Sequence, residues 1–419
     1  MSNTGFRIIY DILNKESGLI CERVFLPWID MEKLMREKEM PLISLESNTP
    51  LKDFDCLGVS LQTELNYAGF LNMLDLGKIP FLREERKDNY PLIIAGGPCC
   101  FNPEPLADFV DLFVIGEAEE LIIELFNRIK RLKPNLRKKE FRDQLLIELS
   151  SLEGIYVPSL YNVEYFPDGR IKRIYANSEN VPSKIKKVTV FNLDSAPYPK
   201  KTILPYVETV HDRIGIEIMR GCPNRCRFCQ ARNIYSPKRE RSLETIKSLV
   251  IDNFNSTGYE EIALLSLSSL DHSQILDIFS TLAQIFKKQG VGISLSSLKV
   301  KSVIKDLLKE FEDMHHSGLT FAPEAGSERL RRLINKQVDS ELLYEIIGAV
   351  FDRGWRGVKL YFMFGLPGEL TSDIDALIEM VHKIWQIKKK HLRGAGKIRL
   401  SLNSFIPKPH TAFQWLPME

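Results

Sequence analysis

The stretch IGIEIMRGCPNRCRFCQ (residues 214–230) joins a short apolar run to a loop that carries three cysteines, Cys222, Cys226 and Cys229. The run IGIEIM has the composition of a parallel strand that is buried on both faces of its sheet. Positive charges next to thiols favour the thiolate form. We expect this effect from the arginines interleaved with the cysteines, which are Arg220, Arg225 and Arg227. The stretch therefore predicts a strand followed directly by a chemically active loop.

Further apolar runs follow and alternate with helical patterns: EIALLSLSS, VGISLSSL, SGLTFAPEAG, WRGVKLYFMFG and KIRLSLNSF. Counting IGIEIM, they make six βα-type units, which is fewer than the eight of a closed barrel. The sequence therefore predicts a partial (β/α)6 barrel over residues 211–419. In such folds the loops after the carboxyl ends of the strands carry the site. The cysteines follow the first strand, so we expect the chemistry there.

Residues 1–145 read as a doubly wound α/β domain. Apolar residues at helical spacing predict a first helix: Phe6, Ile9, Tyr10 and Leu13. We predict strands at LICERVF, CLGVSLQ, PLIIAGG and DLFVIGE, and helices at DMEKLMREK and EELIIELFNRIKRL. Such a fold normally opens on a strand, so we expect a first strand to be missing from this chain.

Residues 146–210 have a different sequence pattern from the segments on either side and are predicted to connect the two domains. The segment YNVEYF-PDG-RIKRIYA alternates apolar and polar residues around a turn tripeptide, which predicts a β-hairpin. The segment SAPYPKKTILP is rich in proline and predicts an irregular linker.

Composition narrows the class of protein. Lys and Arg number 57 and Asp and Glu 55, so the formal charge is +2, which argues against nucleic acid or an acidic membrane as a partner. No apolar run is long enough to span a membrane. Seven clustered cysteines and the lack of a signal-peptide pattern favour a cytoplasmic location. For the basic run at residues 128–143 a solvated surface is favoured, and a nucleic-acid surface stays open.

Three thiolates in one loop suit either zinc or an iron–sulfur cluster. Structural zinc takes four protein ligands, which His211 or His272 could complete. A [4Fe–4S] cluster held by three cysteines keeps one iron open for a small molecule, and we favour this second interpretation.

The motif CxxxCxxC, with Phe228 just before its last cysteine, resembles the signature of the radical S-adenosylmethionine enzymes. The resemblance implies a [4Fe–4S] cluster on Cys222, Cys226 and Cys229, with S-adenosylmethionine chelated at the open iron through its amino and carboxylate groups. It implies one-electron cleavage to methionine and a 5′-deoxyadenosyl radical, and a flavodoxin- or ferredoxin-like electron donor. It also implies that Phe228 lies near the adenine.

Other segments match the family's cofactor-binding strands. LSLSSLDH (265–272) stands where relatives have a GGE-like motif, SLSS (294–297) ends the third strand, and FAPEAGSERLRRLINK (321–336) resembles a segment that contacts ribose and methionine. FGLPGE (364–369) resembles the family's fifth-strand turn, where we expect Gly365, Pro367 and Gly368 to shape the backbone. SLNSFIPKPHTAFQW (401–415) resembles the ending shared by methylthiotransferases and cobalamin-type radical enzymes, where a packed turn is favoured for His410 and a catalytic role stays open. The resemblance implies these cofactor-binding residues: Phe228, Ser268, Ser269, Ser296, Glu324 and Arg331.

The segments AGGP (95–98) and DLFVIGEAEE (111–120) resemble the cobalamin-binding-type domain that precedes many barrels of this family. The subgroup that the chain resembles, over nearly its whole length, consists of uncharacterised cobalamin-type proteins. Cobalamin is therefore a further candidate cofactor, with methylation of an unactivated carbon as the outcome, although the histidine motif DxHxxG is absent. Relatives extend further at both ends, so we expect a partial form.

Two other functions stay open at this point. The first is sulfur insertion, which uses a second cluster on the front domain, although Cys21, Cys56, Cys99 and Cys100 are poorly spaced for one. The second is nucleic-acid binding with a purely structural metal site. The substrate is not indicated by any motif.

Overall fold

The computed structural model describes residues 3–131, 135–207, 209, 211–295, 298–301, 303–310, 319–392 and 396–418. Contacts divide the chain into two compact units, residues 5–190 and residues 191–419, with residues 1–4 grouped with the latter. The sequence predicts three segments with boundaries at residues 145 and 210, whereas the contacts give two units, so these boundaries stay predictions. None of the described helices is long and apolar enough to cross a membrane.

The first unit alternates helices with the strands of a small sheet. Its helices, within the described residues, are α1 (Thr4–Lys15), α2 (Ile29–Glu37), α3 (Asn66–Leu76), α4 (Leu121–Arg131) and α5 (Lys139–Leu149). Its strands are β1 (Cys56–Ser60), β2 (Leu92–Gly96), β3 (Leu112–Val114), β4 (Ile155–Tyr156), β5 (Tyr161–Tyr165) and β6 (Ile171–Ala176).

The sheet of the first unit has the order β1-β2-β3-β4, with β1, β2 and β3 parallel and β4 antiparallel. The predicted helix around Phe6 is confirmed as α1, and the predicted hairpin is confirmed as β5–β6. The α/β class predicted for this part is therefore confirmed.

The prediction of a strand at LICERVF (19–25) is wrong, because this segment has no partner strand. Its backbone groups bond elsewhere. The Cys21 N–H donates to Asn14 Oδ1 at 3.0 Å, and the Arg23 N–H donates to Glu46 Oε2 at 2.7 Å. None of the residues in this segment is buried and Ile20 is 83% exposed, so the apolar run predicts neither burial nor pairing here.

The basic run at residues 128–143 is partly structural, although residues 132–134 lie outside the described part. Arg142 is buried and donates to the backbone oxygens of Arg86, Lys87 and Tyr90. Arg137 donates to the Phe54 oxygen at 3.0 Å. These contacts hold α5 and the residues just before it to the segments that precede β2 and β1, so part of the positive charge of the run is used inside the protein.

The second unit contains the barrel. Its strands are β7 (Ile214–Glu217), β8 (Met219–Arg220), β9 (Arg239–Glu240), β10 (Glu261–Leu265), β11 (Gly292–Leu295), β12 (Leu319–Glu324), β13 (Gly357–Phe364) and β14 (Lys397–Ser404). Its described helices are α6 (Gln230–Ile234), α7 (Leu243–Thr257), α8 (Ile275–Phe286), α9 (Val303–Glu310), α10 (Glu328–Leu333), α11 (Ser340–Asp352) and α12 (Thr371–Leu392).

Six parallel strands run in chain order and confirm the predicted partial barrel. Strands β7, β10 and β11 form one sheet, and β12, β13 and β14 form another. A parallel bridge between Leu298 and Phe321 joins the two within the described residues. Alternate residues of β13 are buried, namely Val358, Leu360 and Phe362, so one face of this strand is covered and the other is more open.

Helix α12 lies directly against the turn after β12. A Cβ built on Gly326 would overlap the backbone of Leu377 and would lie 2.6 Å from the carbonyl carbon of Ala376. Glycine is therefore required at this position so that the segment between β12 and α10 stays in place.

Replacing Gly326 tests this contact. We expect Gly326→Ala to lower the free energy of unfolding by about 3 kcal/mol, because the new methyl group has no space. Gly348→Ala is the matched control, since its Cβ would lie 3.5 Å from His391 Nε2 and alanine is favoured in a helix interior by about 1 kcal/mol. Urea unfolding, followed by the fluorescence of the buried Trp355, measures the free energy of unfolding of each variant. Equal values for the two variants would contradict the expectation.

Candidate active site

The three cysteines lie on one loop at the mouth of the barrel. We call residues 221–229 the cysteine loop. It begins after β8, which pairs antiparallel with β9, and it ends where α6 starts. Gly221 has a φ of 82°, and a Cβ there would lie 2.5 Å from the Pro237 oxygen. Glycine therefore allows the chain to leave the strand in this direction.

The end of helix α10 holds the cysteine loop. The Arg227 N–H donates to the Ile334 oxygen at 3.0 Å, and Arg227 Nη1 donates to the Leu333 oxygen at 2.8 Å. Asn335 Nδ2 donates to the Arg225 oxygen at 2.7 Å. These bonds join the loop after the first barrel strand to the helix after the fourth.

The expectation that the flanking arginines favour thiolates is wrong for Cys226 and Cys229, whose thiol pKa values are raised. Arg220 pairs with Glu217 at 2.7 Å, and Arg227 is directed to backbone carbonyls. Burial raises the pKa of the Cys226 and Cys229 thiols, and the positive charge of Lys336 opposes part of that rise. The three cysteines are partly buried, which suits thiols that give up their protons when they bind a cationic group.

Glu324 and Lys336 lie beside the cysteine loop. Glu324 ends β12 with a φ of 68°, and its Oε1 lies 3.4 Å from Lys336 Nζ. Burial raises the pKa of the Glu324 carboxyl, and Lys336 opposes that rise. The carboxylate in turn raises the pKa of Cys226. Sequence reasoning singled out Glu324 and missed Lys336, which closes the same quoted segment.

Phe228 lies in a small apolar cluster at the base of the loop, where it packs against Ala325, Leu330, Ile334, Leu366, Phe405 and Phe413. Its packing helps to anchor the loop. The predicted contact with adenine stays a prediction.

Ser268 and Ser269 are both buried just after β10. Ser268 Oγ donates to Asp271 Oδ2 at 2.7 Å, and Ser269 Oγ lies 3.0 Å from Ser266 Oγ. Sequence reasoning missed Asp271, which is the member of this group that also reaches the cysteine loop, through Asn224 at 2.9 Å. Cofactor binding by the two serines stays a prediction.

Ser296 and Arg331 are the other two predicted cofactor residues. Ser296 lies outside the described residues. Arg331 is buried and donates from Nη1 to the oxygens of Ala325 and Gly326 and from Nη2 to Ser340 Oγ. Arg331 therefore holds the turn after β12, and its predicted contact with cofactor stays a prediction.

The remaining sequence candidates lie in turns or are already engaged. Gly365 and Gly368 both have positive φ, as expected for a shaped turn. The His410 N–H donates to Gln414 Oε1 at 3.1 Å, within the C-terminal turn. His272 is buried with Nε2 3.0 Å from the Arg241 oxygen and Nδ1 accepting from the Gln274 N–H. Both of its ring nitrogens are therefore used, and His272 does not complete a zinc site.

The described residues contain no group of three or more His, Cys, Asp or Glu side chains drawn together around a single metal ion. The three thiols of the cysteine loop do influence one another electrostatically. Three sulfur donors on one loop are the donor set of a cluster that spans them, and they fit [4Fe–4S] chemistry.

The carboxyl edge of the first unit's sheet has an open surface. A Cβ on Gly96, at the end of β2, would meet no atom within 4 Å, whereas one on Gly97 would lie 2.6 Å from the Leu61 oxygen. The four cysteines of this unit do not form one group. Cys21 lies near Glu22 and Glu46, Cys56 near Asp55 and Asp111, and only Cys99 and Cys100 are neighbours.

Two family models match the chain, "Radical SAM proteins, N-terminal" over residues 5–158 and "Radical SAM superfamily" over residues 216–381. An uncharacterized protein of Methanocaldococcus jannaschii is 32% identical over 404 residues, which cover 95% of this chain and 77% of that protein. A tRNA-2-methylthio-N(6)-dimethylallyladenosine synthase of Clostridium botulinum is 23% identical over 295 residues, and the match spans 60% of that enzyme.

Solved structures resemble the chain over both units. TsrM of Kitasatospora setae, a radical S-adenosylmethionine methyltransferase solved with cobalamin and a [4Fe–4S] cluster, aligns with a TM-score of 0.61 at 12% identity, covering 97% of this chain and 73% of TsrM. OxsB, a cobalamin-dependent S-adenosylmethionine radical enzyme, aligns with a TM-score of 0.54 at 14% identity. The alignment covers 92% of this chain and 52% of OxsB. At these identities the likeness is one of fold. The family matches and the archaeal relative go further, and they show that the chain belongs to the radical S-adenosylmethionine superfamily, whose enzymes use a [4Fe–4S] cluster and S-adenosylmethionine.

Proposed function

We propose that the chain cleaves S-adenosylmethionine reductively at a [4Fe–4S] cluster held by Cys222, Cys226 and Cys229. The observation that carries this proposal is the cysteine loop itself, which presents three partly buried thiols and is held against α10 beside Glu324 and Lys336. When bound, the cluster supplies one electron to the sulfonium, which yields methionine and a 5′-deoxyadenosyl radical. An external one-electron donor of the flavodoxin or ferredoxin type is then required.

The protein's own residues bind and orient the cofactor and exclude water. The bonds from α10 hold the loop, and the apolar cluster around Phe228 closes its base. Glu324 and Lys336 have side chains that are 14% and 20% exposed, so their charges act in a poorly screened environment. We assign Glu324 as an acceptor for cofactor hydroxyl groups and Lys336 as the charge that opposes the rise in the pKa of this carboxyl.

Cobalamin is the second cofactor that we propose, with methyl transfer to an unactivated carbon as the reaction. The open surface at Gly96 gives room for a flat ligand at the carboxyl edge of the sheet. The sequence has seven histidines, all at position 211 or beyond. Residues 5–190 therefore contain no histidine for cobalt, and binding would rest on the loops after β1, β2 and β3.

Sulfur insertion is the competing reaction, and the match to tRNA methylthio synthases motivates it. It needs a second group of three cysteines, whereas within the described first unit Cys21 and Cys56 lie in separate electrostatic surroundings from the Cys99–Cys100 pair. The methyl-transfer proposal is therefore preferred.

Iron content after anaerobic reconstitution tests the cluster. We expect about four iron atoms per chain for a single [4Fe–4S] cluster, and 5′-deoxyadenosine when a reductant and S-adenosylmethionine are added. Cys226→Ser should lose the bound iron and the formation of 5′-deoxyadenosine, because serine does not replace the thiolate. Cys21→Ser should keep both, since Cys21 lies among Glu22 and Glu46 in the other unit. About eight iron atoms would support sulfur insertion, and an intact cluster without 5′-deoxyadenosine would overturn the proposed function.

Glu324→Gln tests the assigned acceptor. We expect the dissociation constant for S-adenosylmethionine to rise about tenfold, or about 1.4 kcal/mol, because a charge-assisted hydrogen bond becomes a neutral one. Iron content should not change. Glu328→Gln is the control, since Glu328 is exposed and pairs with Arg332 on α10. Equal affinities of the two variants in an anaerobic equilibrium-binding measurement would contradict the assignment.

Gly96→Leu tests the cobalamin surface. We expect this variant to lose binding of hydroxocobalamin, measured by equilibrium dialysis, because the side chain fills the open space at the end of β2. Gly58→Leu is the control, since its Cβ also meets no atom within 4 Å but lies further from the carboxyl edge of the sheet. Wild-type chain that binds no hydroxocobalamin would leave only cluster chemistry in the proposal.

A further inference from the structure

Asn224, in the middle of the cysteine loop, contacts a cysteine sulfur directly. Asn224 Nδ2 donates to Cys222 Sγ at 3.2 Å and to Asp271 Oδ2 at 2.9 Å. On its other side, Asn224 Oδ1 accepts from Lys299 Nζ at 2.6 Å. The side-chain amide therefore lies between a cation and two groups that carry negative charge when ionised.

These partners allow one orientation of the amide. An amide NH₂ group has two donors, and here they meet the two acceptors, sulfur and carboxylate. The amide oxygen meets an ammonium group, which only donates. Reversing the amide would place its oxygen against Cys222 Sγ and Asp271 and its NH₂ group against Lys299, which is unfavourable at every contact.

The partners are themselves held by the barrel. Asp271 pairs with Lys301 and accepts from Ser268 Oγ at 2.7 Å. Burial raises the pKa of the Asp271 carboxyl, but the hydrogen bonds from Lys301, Ser268 and Asn224 together lower it by more, so the pKa lies below its ordinary value. Asp271 follows β10, and Lys299 and Lys301 follow β11. The network therefore belongs to the ends of two barrel strands, outside the cysteine loop.

We propose that Asn224 is a positioning residue that orients the Cys222 sulfur and raises the reduction potential of the cluster by hydrogen bonding, with Lys299 as the charge behind it. This inference rests on the proposed function. Hydrogen bonds to cluster sulfurs and the local net charge are among the factors that set iron–sulfur potentials. A donor stabilises the reduced cluster more than the oxidised cluster, because reduction adds negative charge that is shared with the sulfurs.

In this role Asn224 makes the electrostatic surroundings of Cys222 different from those of Cys226 and Cys229. Lys336 acts on Cys226 and Cys229 through space, whereas Cys222 receives a directed hydrogen bond from Asn224. A merely structural asparagine would also stabilise the loop, but its removal would leave the potential of an intact cluster unchanged. The reduction potential is therefore the measurement that separates the two roles.

The test is a redox titration of the reconstituted full chain, followed by the electron paramagnetic resonance signal of the reduced cluster. For Asn224→Ala we expect the equilibrium constant for reduction to fall about tenfold, which is about 59 mV more negative for a one-electron couple. Asn233→Ala is the matched control, because Asn233 Nδ2 donates to the backbone oxygen of Cys229 and not to a sulfur. The control should keep the wild-type potential.

Lys299→Met provides a second variant that keeps the amide. It should shift the potential in the same direction by a smaller amount, and it decides the question if Asn224→Ala fails to hold iron. A wild-type potential in an iron-replete Asn224→Ala chain, or in Lys299→Met when the alanine variant holds no iron, would overturn the inference and leave the proposed function intact. A wild-type chain that binds no [4Fe–4S] cluster would overturn both.

Discussion

Hydrogen bonds between the cysteine loop and the end of helix α10 are the constraint on which the site depends. Arg227 and Asn335 bring together segments more than one hundred residues apart in the chain, and both bonds reach backbone carbonyls. Because the partners are carbonyl groups, the bonds fix the course of the loop and leave the sulfurs available. Glu324 and Lys336 flank α10, so the same contact places their charges beside the thiols.

The electrostatic state of the site follows from burial more than from neighbouring charge. Raised pKa values of Cys226 and Cys229 mean that thiolates are costly here until a cationic group binds. Lys336 offsets part of that cost and Glu324 adds to it. Binding of a cationic group by these thiols is thus coupled to proton release.

Much of this arrangement could be predicted from sequence because it is local. The six barrel strands and the cysteine spacing are patterns within short segments, and the structure confirms the strands. The network of Asn224, Asp271 and Lys299 joins three loops, and no pattern within one segment reveals it. Likewise Arg220 and Arg227 are engaged elsewhere, and Arg227 is engaged through a tertiary contact with the Leu333 oxygen. LICERVF (19–25) is the opposite case. Its pattern predicts a strand, but the segment has no partner strand within the described residues and does not form one.

The barrel's strands form two three-stranded halves that, in the described part of the chain, meet at the bridge between Leu298 and Phe321. The cysteine loop belongs to the first half, and Glu324 and Lys336 belong to the second. A cofactor that contacts both halves adds its binding free energy to the cohesion between them, because it binds the folded unit and not the unfolded chain. The melting temperature of this unit therefore rises with cofactor concentration, because binding at the site stabilises the whole barrel.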